Sequence, residues 1–256
     1  MTKNIILIHG MWANNELLSC WKKHFEQNGY NCITPNLPGH NKDDNYKIGN
    51  YSFNDFVDFV ASEIENLEEK PVIIGHSMGG LIAHKLAEKG LAAKAVLLTP
   101  ATQRGIFNFN TESVSGFLPI VLTPFFWRKG INPDKKGFDY ICSEVPEHVR
   151  SKIFKNLVAE SGKAFFEISM WALDFNKSTQ INNSKITCPV LQIAAEKDRI
   201  ISKEVLSKQA EEIKSKVKDF EFILYPEHGH GIIWENGWDK VADDIISWIE
   251  DRSGQG

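Results

Sequence analysis

Residues 71–80 read PVIIGHSMGG, a continuous apolar run of Val72, Ile73 and Ile74 that stops at a serine bracketed by glycines. An apolar run without alternation suits a strand covered on both faces, and Leu81, Ile82, Leu86 and Ala87 then recur at helical spacing until Gly90. Ser77 is thereby predicted on a strand-to-helix turn. A Gly-Ser connection can be merely a tight turn with a solvated hydroxyl, so its meaning depends on what the remainder of the chain places beside it.

The same continuous pattern recurs at 4–9 (NIILIH), 94–99 (KAVLLT), 189–195 (PVLQIAA) and 220–225 (FEFILY), with a weaker run at 30–36 (YNCITPN). Helical segments separate these runs, which predicts an α/β fold whose mostly parallel, doubly wound sheet is flanked by helices. Ser52 with Asp55 three residues on marks a helix start, followed by Phe53, Phe56, Val57, Val60, Ile64 and Leu67 on one face. Trp238, Val241, Ile245, Trp248 and Ile249 repeat likewise in a closing helix before the polar tail DRSGQG, expected to be mobile.

Between Thr102 and Asn183 the alternation of strand and helix breaks, and Pro119, Pro124, Pro133 and Pro146 stand among helical fragments such as 146–159 and 162–175. A structureless loop of that length is rare in a compact domain, so 102–183 is expected to fold as a helical cap inserted between core segments 1–101 and 184–256. It holds 13 of the chain's 28 aromatic residues. Most should pack the cap itself and some should face a ligand. Phe125, Phe126, Trp127 and Trp171, together with Trp12 on the first loop, are the candidate substrate-binding residues.

Composition narrows the partners. With 42% hydrophobic and 24% charged residues the 256-residue chain is an ordinary globular one. A formal charge of −4 without a long basic block argues against nucleic acid or an anionic membrane surface and leaves a small molecule. The apolar segment at the N-terminus is too short for a signal peptide or a membrane span. Cys20, Cys32, Cys142 and Cys188 are widely spaced, without a C-x-x-C pair or Cys/His cluster, which predicts neither zinc nor a disulfide scaffold and suits a cytoplasmic, reduced protein.

A nucleophilic serine needs a base, an orienting acid and donors for the oxyanion. The loop after the last apolar run, YPEHGHGIIWE, supplies His228 and His230, and the exit of the run at 189–195, in VLQIAAEKDRI, supplies Glu196 and Asp198. Ser77, Asp198 and His230 fall in the order serine, acid, histidine found in hydrolases built on a nucleophile elbow.

These segments together carry a resemblance. With LIHGMW early, GHSMGG at the elbow, AAEKDRI at the acid and GHGIIWE at the histidine, nearly the whole chain resembles capped serine hydrolases of the α/β-hydrolase fold, of esterase and lipase type. Ala195 stands where that family's acid turn has glycine, and Ser202 near its proline. The family's Gly-His turn implies His230 as the base, with His228 as the alternative. Its His-Gly loop and elbow imply backbone N–H donors from Met11 and Met78. His9 and His76 are expected to be structural neighbours of the site.

The resemblance implies hydrolysis of a carboxylic ester or thioester with an apolar acyl or aromatic group, through an acyl-enzyme and without metal or organic cofactor. A C–C bond hydrolase, a lyase, an acyltransferase or a non-catalytic ligand receptor can be built on the same residues. Serine at the elbow argues against relatives that use aspartate there. The insertion's ten basic and eight acidic residues are too balanced to indicate a strongly charged substrate.

Overall fold

Among the residues described by the structure, a computed structural model covering 3–41, 43, 45–108 and 110–251, the strands are β1 (Asn4–Ile8), β2 (Asn31–Ile33), β3 (Val72–His76), β4 (Lys94–Leu98), β5 (Gly130–Ile131), β6 (Glu160–Ser161), β7 (Val190–Ala195) and β8 (Phe220–Tyr225). The α-helices are α1 (Ser19–Gln27), α2 (Phe53–Glu65), α3 (Met78–Glu88), α4 (Thr111–Val121), α5 (Lys135–Ile141), α6 (Glu147–Asn156), α7 (Gly162–Ser169), α8 (Lys203–Lys214) and α9 (Trp238–Asp251). Of the tail DRSGQG, expected to be mobile, Asp251 is the last residue of α9 and 252–256 lie outside the described residues.

Six strands form one parallel sheet in the order β2-β1-β3-β4-β7-β8. The sheet expected from the continuous apolar runs is therefore present, and the weak run at 30–36 supplies edge strand β2. Inside each run, successive side chains serve opposite faces. Ile6, Ile8 and Ile73 join the apolar faces of α2, α3 and α8, while Ile5, Leu7, Val72 and Ile74 join those of α1 and α9. Burial on both faces is what makes the runs uninterrupted, and each fully buried large apolar side chain contributes about 1.5–3 kcal/mol. Helix α2 begins in a capping box: the Asp55 N–H donates to Ser52 Oγ and the Ser52 N–H donates to Asp55 Oδ2.

The strand order reverses between β1 and β3, which are neighbours although β2 lies between them in sequence. Parallel sheets open a crevice beyond the carboxyl ends of strands at such a switch point. Ser77 leaves β3 and the loop from Gly10 to Ala13 follows β1, so both face that crevice.

Residues 102–183 run between β4 and β7 and hold α4 to α7, with β5 and β6 as a small antiparallel ladder that pairs Gly130 with Ser161 and Ile131 with Glu160. The sequence carries no alternation that would announce so short a ladder. The helical fragments are also shorter than read from sequence: α6 spans Glu147–Asn156 and α7 spans Gly162–Ser169. Among the described residues no helix is long and apolar enough to cross a membrane, and all four cysteines are free.

Candidate active site

Strand β3 ends at His76 and helix α3 begins at Met78, leaving Ser77 alone on the turn with φ 55° and ψ −117°. A non-glycine residue there carries strain of about 1–3 kcal/mol and persists only where its surroundings over-determine it. They do so here: the Ser77 N–H donates to Leu98 O at 3.0 Å, and the Gly80 and Ala101 N–H groups each donate to Ser77 O at 2.9 Å. The bracketing glycines follow from the same crowding. A Cβ on residue 75 would lie 1.9 Å from Gly79 O, and one on residue 79 would lie 2.4 Å from Ile8 O.

The loops after β7 and β8 bring Asp198 and His230 to this serine. His230 Nε2 lies 3.0 Å from Ser77 Oγ, and His230 Nδ1 lies 2.8 Å from Asp198 Oδ2. A proton on Nδ1 donates to the carboxylate and leaves Nε2 to accept from the serine hydroxyl. Asp198 Oδ1 is occupied by the N–H groups of Ile200 and Ile201, each at 2.8 Å, so the carboxylate cannot swing away from the imidazole. His230 and Asp198 are only 2% and 6% exposed, which strengthens this hydrogen-bonded chain relative to water.

Neither alternative residue joins the chain. His228 Nδ1 pairs with Glu235 Oε2 at 2.9 Å, and the same carboxylate accepts the Gly229 N–H, which shapes the turn leading into His230. Glu196 points to solvent and pairs with Lys203. His76 donates from Nε2 to His230 O at 2.8 Å. Burial, and then the nearby His230, push the His76 pKa down to about 3, so it holds the loop as a neutral ring. His9 is likewise pushed to about 3, by burial first and then by His40; its Nδ1 bonds to Gly10 O and its Nε2 accepts the Leu37 N–H.

Ser77 and His230 open onto a cavity of about 480 Å3, within the usual range for a small-molecule site. Met11 and Met78 line it, and among the described residues their N–H groups have no protein acceptor. The Met78 amide also belongs to the first turn of α3, whose positive end favours developing negative charge. Trp12 lines the cavity in a left-handed conformation, φ 60°, with its ring stacked on Phe117 at 5.5 Å and its indole N–H donating to Ile131 O at 3.0 Å. Trp171 also lines it, packed on Phe107 at 4.4 Å.

The run Phe125, Phe126, Trp127 requires correction: none of the three lines the cavity. Phe126 is buried against Phe165 and Phe166, whereas Phe125 is 59% and Trp127 40% exposed. Pairing of β5 with β6 draws the segment after α4 away from the crevice, and Lys129 packs against the backbone at Gly49. Sequence reasoning in turn missed Phe117 and Phe165, which wall the cavity from α4 and α7. A helical stripe of Val114, Phe117, Leu118 and Val121 was the available signal, but such a stripe reads equally as packing.

Sequence reasoning also missed a buried pair. Glu160 on β6 and His40 on the loop after β2 have fully buried side chains and meet at 3.0 Å between Glu160 Oε2 and His40 Nε2. Burial pulls the His40 pKa down, but the Glu160 charge and hydrogen bond outweigh it and hold the imidazole above its ordinary value. No periodicity or spacing in the sequence connects the two residues.

Solved structures share this fold. Superposition on a monoacylglycerol lipase from Paleococcus ferrophilus gives a TM-score of 0.69 at 24% identity, covering 96% of this chain and 93% of the other. An esterase from Exiguobacterium antarcticum gives 0.72 at 21% identity over 96% and 91% of the two chains. MenH from S. aureus gives 0.69 at 18% identity over 99% and 96%. Comparison with curated proteins finds no match. The model of the family described as serine aminopeptidase, S33, matches residues 1–237, nearly the whole molecule, and the chain belongs to that family of α/β-hydrolases.

Proposed function

We propose that the protein hydrolyses carboxylic esters or thioesters bearing an apolar acyl or aromatic group, through an acyl-enzyme on Ser77. The observation that carries this reading is the hydrogen-bonded chain Ser77–His230–Asp198, at 3.0 and 2.8 Å, where Ser77 and His230 open on a largely apolar cavity. As Ser77 Oγ attacks the carbonyl carbon, its proton passes to His230 Nε2. The oxyanion is received by the Met11 and Met78 amides, each such donor being worth about 3 kcal/mol in the transition state. Collapse breaks the bond to the alcohol or thiol, which takes the proton from His230. Water then attacks the acyl-enzyme, gives a proton to His230, and the acid leaves as Ser77 recovers its hydrogen. Asp198 holds the imidazole in the required tautomer.

Residues 102–183 act as a cap that supplies Phe117, Phe165 and Trp171 to the acyl group. Among the described residues lining the cavity, none is Asp, Glu, Lys or Arg, which favours an uncharged ester over a peptide whose α-ammonium group needs an acidic partner. The names of the lipase and esterase neighbours agree with this preference. Four free cysteines, three of them buried, suit a reducing, cytoplasmic setting.

A panel of p-nitrophenyl esters of increasing acyl length, run on the parent protein and on Ser77→Ala with a serine-directed phosphonate alongside, tests the reading. The parent is expected to turn over and be labelled at Ser77, and the variant to do neither. Absence of both in the parent overturns it.

A further inference from the structure

Trp12 follows Met11 directly, and both its backbone and its side chain are tied to residues of 102–183. Val158 N–H donates to Trp12 O at 3.0 Å, the indole N–H donates to Ile131 O, and Phe117 and Phe165 flank the ring. The Trp12 N–H points to Glu160 Oε2 at 3.4 Å. That oxygen is also the partner of His40 Nε2 at 3.0 Å, while Glu160 Oε1 accepts the Ser161 N–H at 2.6 Å. One carboxylate with no solvent access thus joins the loop after β1, the loop after β2 and the ladder of the insertion.

The bond to Trp12 N–H sets the plane of the Met11–Trp12 peptide, adjacent to the peptide that carries the Met11 N–H. Without an acceptor, that buried N–H would be orphaned, and a bulky residue at φ 60° would gain by relaxing toward negative φ. Either change would turn the neighbouring Met11 amide. His40 keeps the carboxylate from facing burial unpaired. We infer that Glu160, backed by His40, is a positioning residue that fixes the Met11 amide for the oxyanion and so makes the insertion a structural part of the oxyanion site. This inference rests on the serine-hydrolase reading above.

The test compares the parent, Glu160→Gln, His40→Gln and the double variant on a short-chain p-nitrophenyl ester. Phosphonate titration counts competent sites, and affinity is measured for a trifluoromethyl ketone whose adduct with Ser77 places an oxyanion in the site. Glu160→Gln leaves one acceptor oxygen where two now face Trp12 N–H, Ser161 N–H and His40 Nε2, and sets an NH2 donor in place of the other. It should lower kcat per titrated site about tenfold, with KM within about twofold, and weaken ketone binding in parallel, as expected when an interaction made in the transition state is lost. His40→Gln should act in the same direction, and the double variant should lose less than the product of the two single losses because both act through one carboxylate. An unchanged kcat per titrated site in Glu160→Gln, with activity lost only through fewer competent sites or a lower melting temperature, overturns the inference and leaves a merely structural pair. If Glu160→Gln does not fold, an unchanged kcat and ketone affinity in His40→Gln overturns it instead. Ester turnover and labelling by the parent separate either failure from failure of the hydrolase reading, which only their absence in the parent overturns.

Discussion

The sheet and the insertion at 102–183 position side chains by different means. In the sheet, Ser77, Asp198 and His230 each follow the carboxyl end of a strand, β3, β7 and β8, and their places follow from backbone registers locked by hydrogen bonding. In the insertion, β5 and β6 have two residues each, and its ties to the core span residues distant in sequence: the Glu160–His40 pair, the Trp12 indole on Ile131 O and the Val158 N–H on Trp12 O. Among the described residues, every large apolar side chain that is exposed lies in the insertion except Tyr46 and Leu224. The lesson is a division of labour: groups that would do chemistry sit on the frame, at the strand ends of the sheet, and groups that would choose the substrate sit on the inserted segment packed over them.

The sharpest way to break this division is at the two late histidines, which share one loop of the frame. His230→Gln is expected to lower kcat by about three orders of magnitude or more, because the relay to Ser77 is lost. His228→Gln should cost only a few-fold, since His228 supports the turn through Glu235. Steady-state kinetics on both variants decide it, and equal modest losses would remove His230 from its assigned role.

A second comparison sets the frame against the contact with the insertion through pH. His9, His76 and His84 lie in the frame with pKa values pushed by burial to about 3, 3 and 4. Because these lie below the unfolded value near 6.5, the unfolded chain binds the extra protons. Their contribution to stability is therefore complete above about pH 6.5 and is lost as pH falls toward 3–4. Each histidine adds a slope of up to about 1.4 kcal/mol per pH unit in that window. His40, raised by Glu160, works in the opposite sense: its contribution is present at low pH and fades as pH rises through its folded pKa. Urea melts between pH 7 and 4 should show stability falling on acidification, and a flat profile would show that the three rings are not held neutral.

The smallest expected effects lie within the insertion. Phe125→Ala and Trp127→Ala should change stability by about 0.5 kcal/mol or less, as exposed positions do, and leave KM for long-acyl esters unchanged. Phe117→Ala, on the cavity wall, should raise that KM several-fold. A rise in KM at Trp127 comparable to that at Phe117 would place the acyl group on the outer face of the insertion instead.

Much of the frame was legible in the sequence because its signals are local. The run Val72 to Ile74 meets Gly75 and Ser77 within a few residues, and the Ser52–Asp55 capping box spans a single helical turn. The insertion was legible only as an interruption. PFFW at 124–127 is its most aromatic stretch, yet the β5–β6 ladder turns that stretch from the crevice, and the ladder is too short to leave a period. Nothing in the sequence sets Phe117 and Phe165 apart from the other aromatic residues of the insertion; the placement of α4 and α7 puts them on the cavity wall.

By itself, then, the sequence determined the parallel sheet, the strained turn at Ser77 and the loops that carry an acid and a histidine, because continuous apolar runs and their glycine breaks act over neighbouring residues. Only the tertiary structure decided that Ser77 meets His230 while His228 meets Glu235, and which aromatic side chains line the cavity. It alone joined Glu160 to His40 and to Trp12, across 120 and 148 residues of chain. The reason is physical: burying a carboxylate requires partners to be close in space, and nothing in that requirement constrains how far apart they stand in sequence.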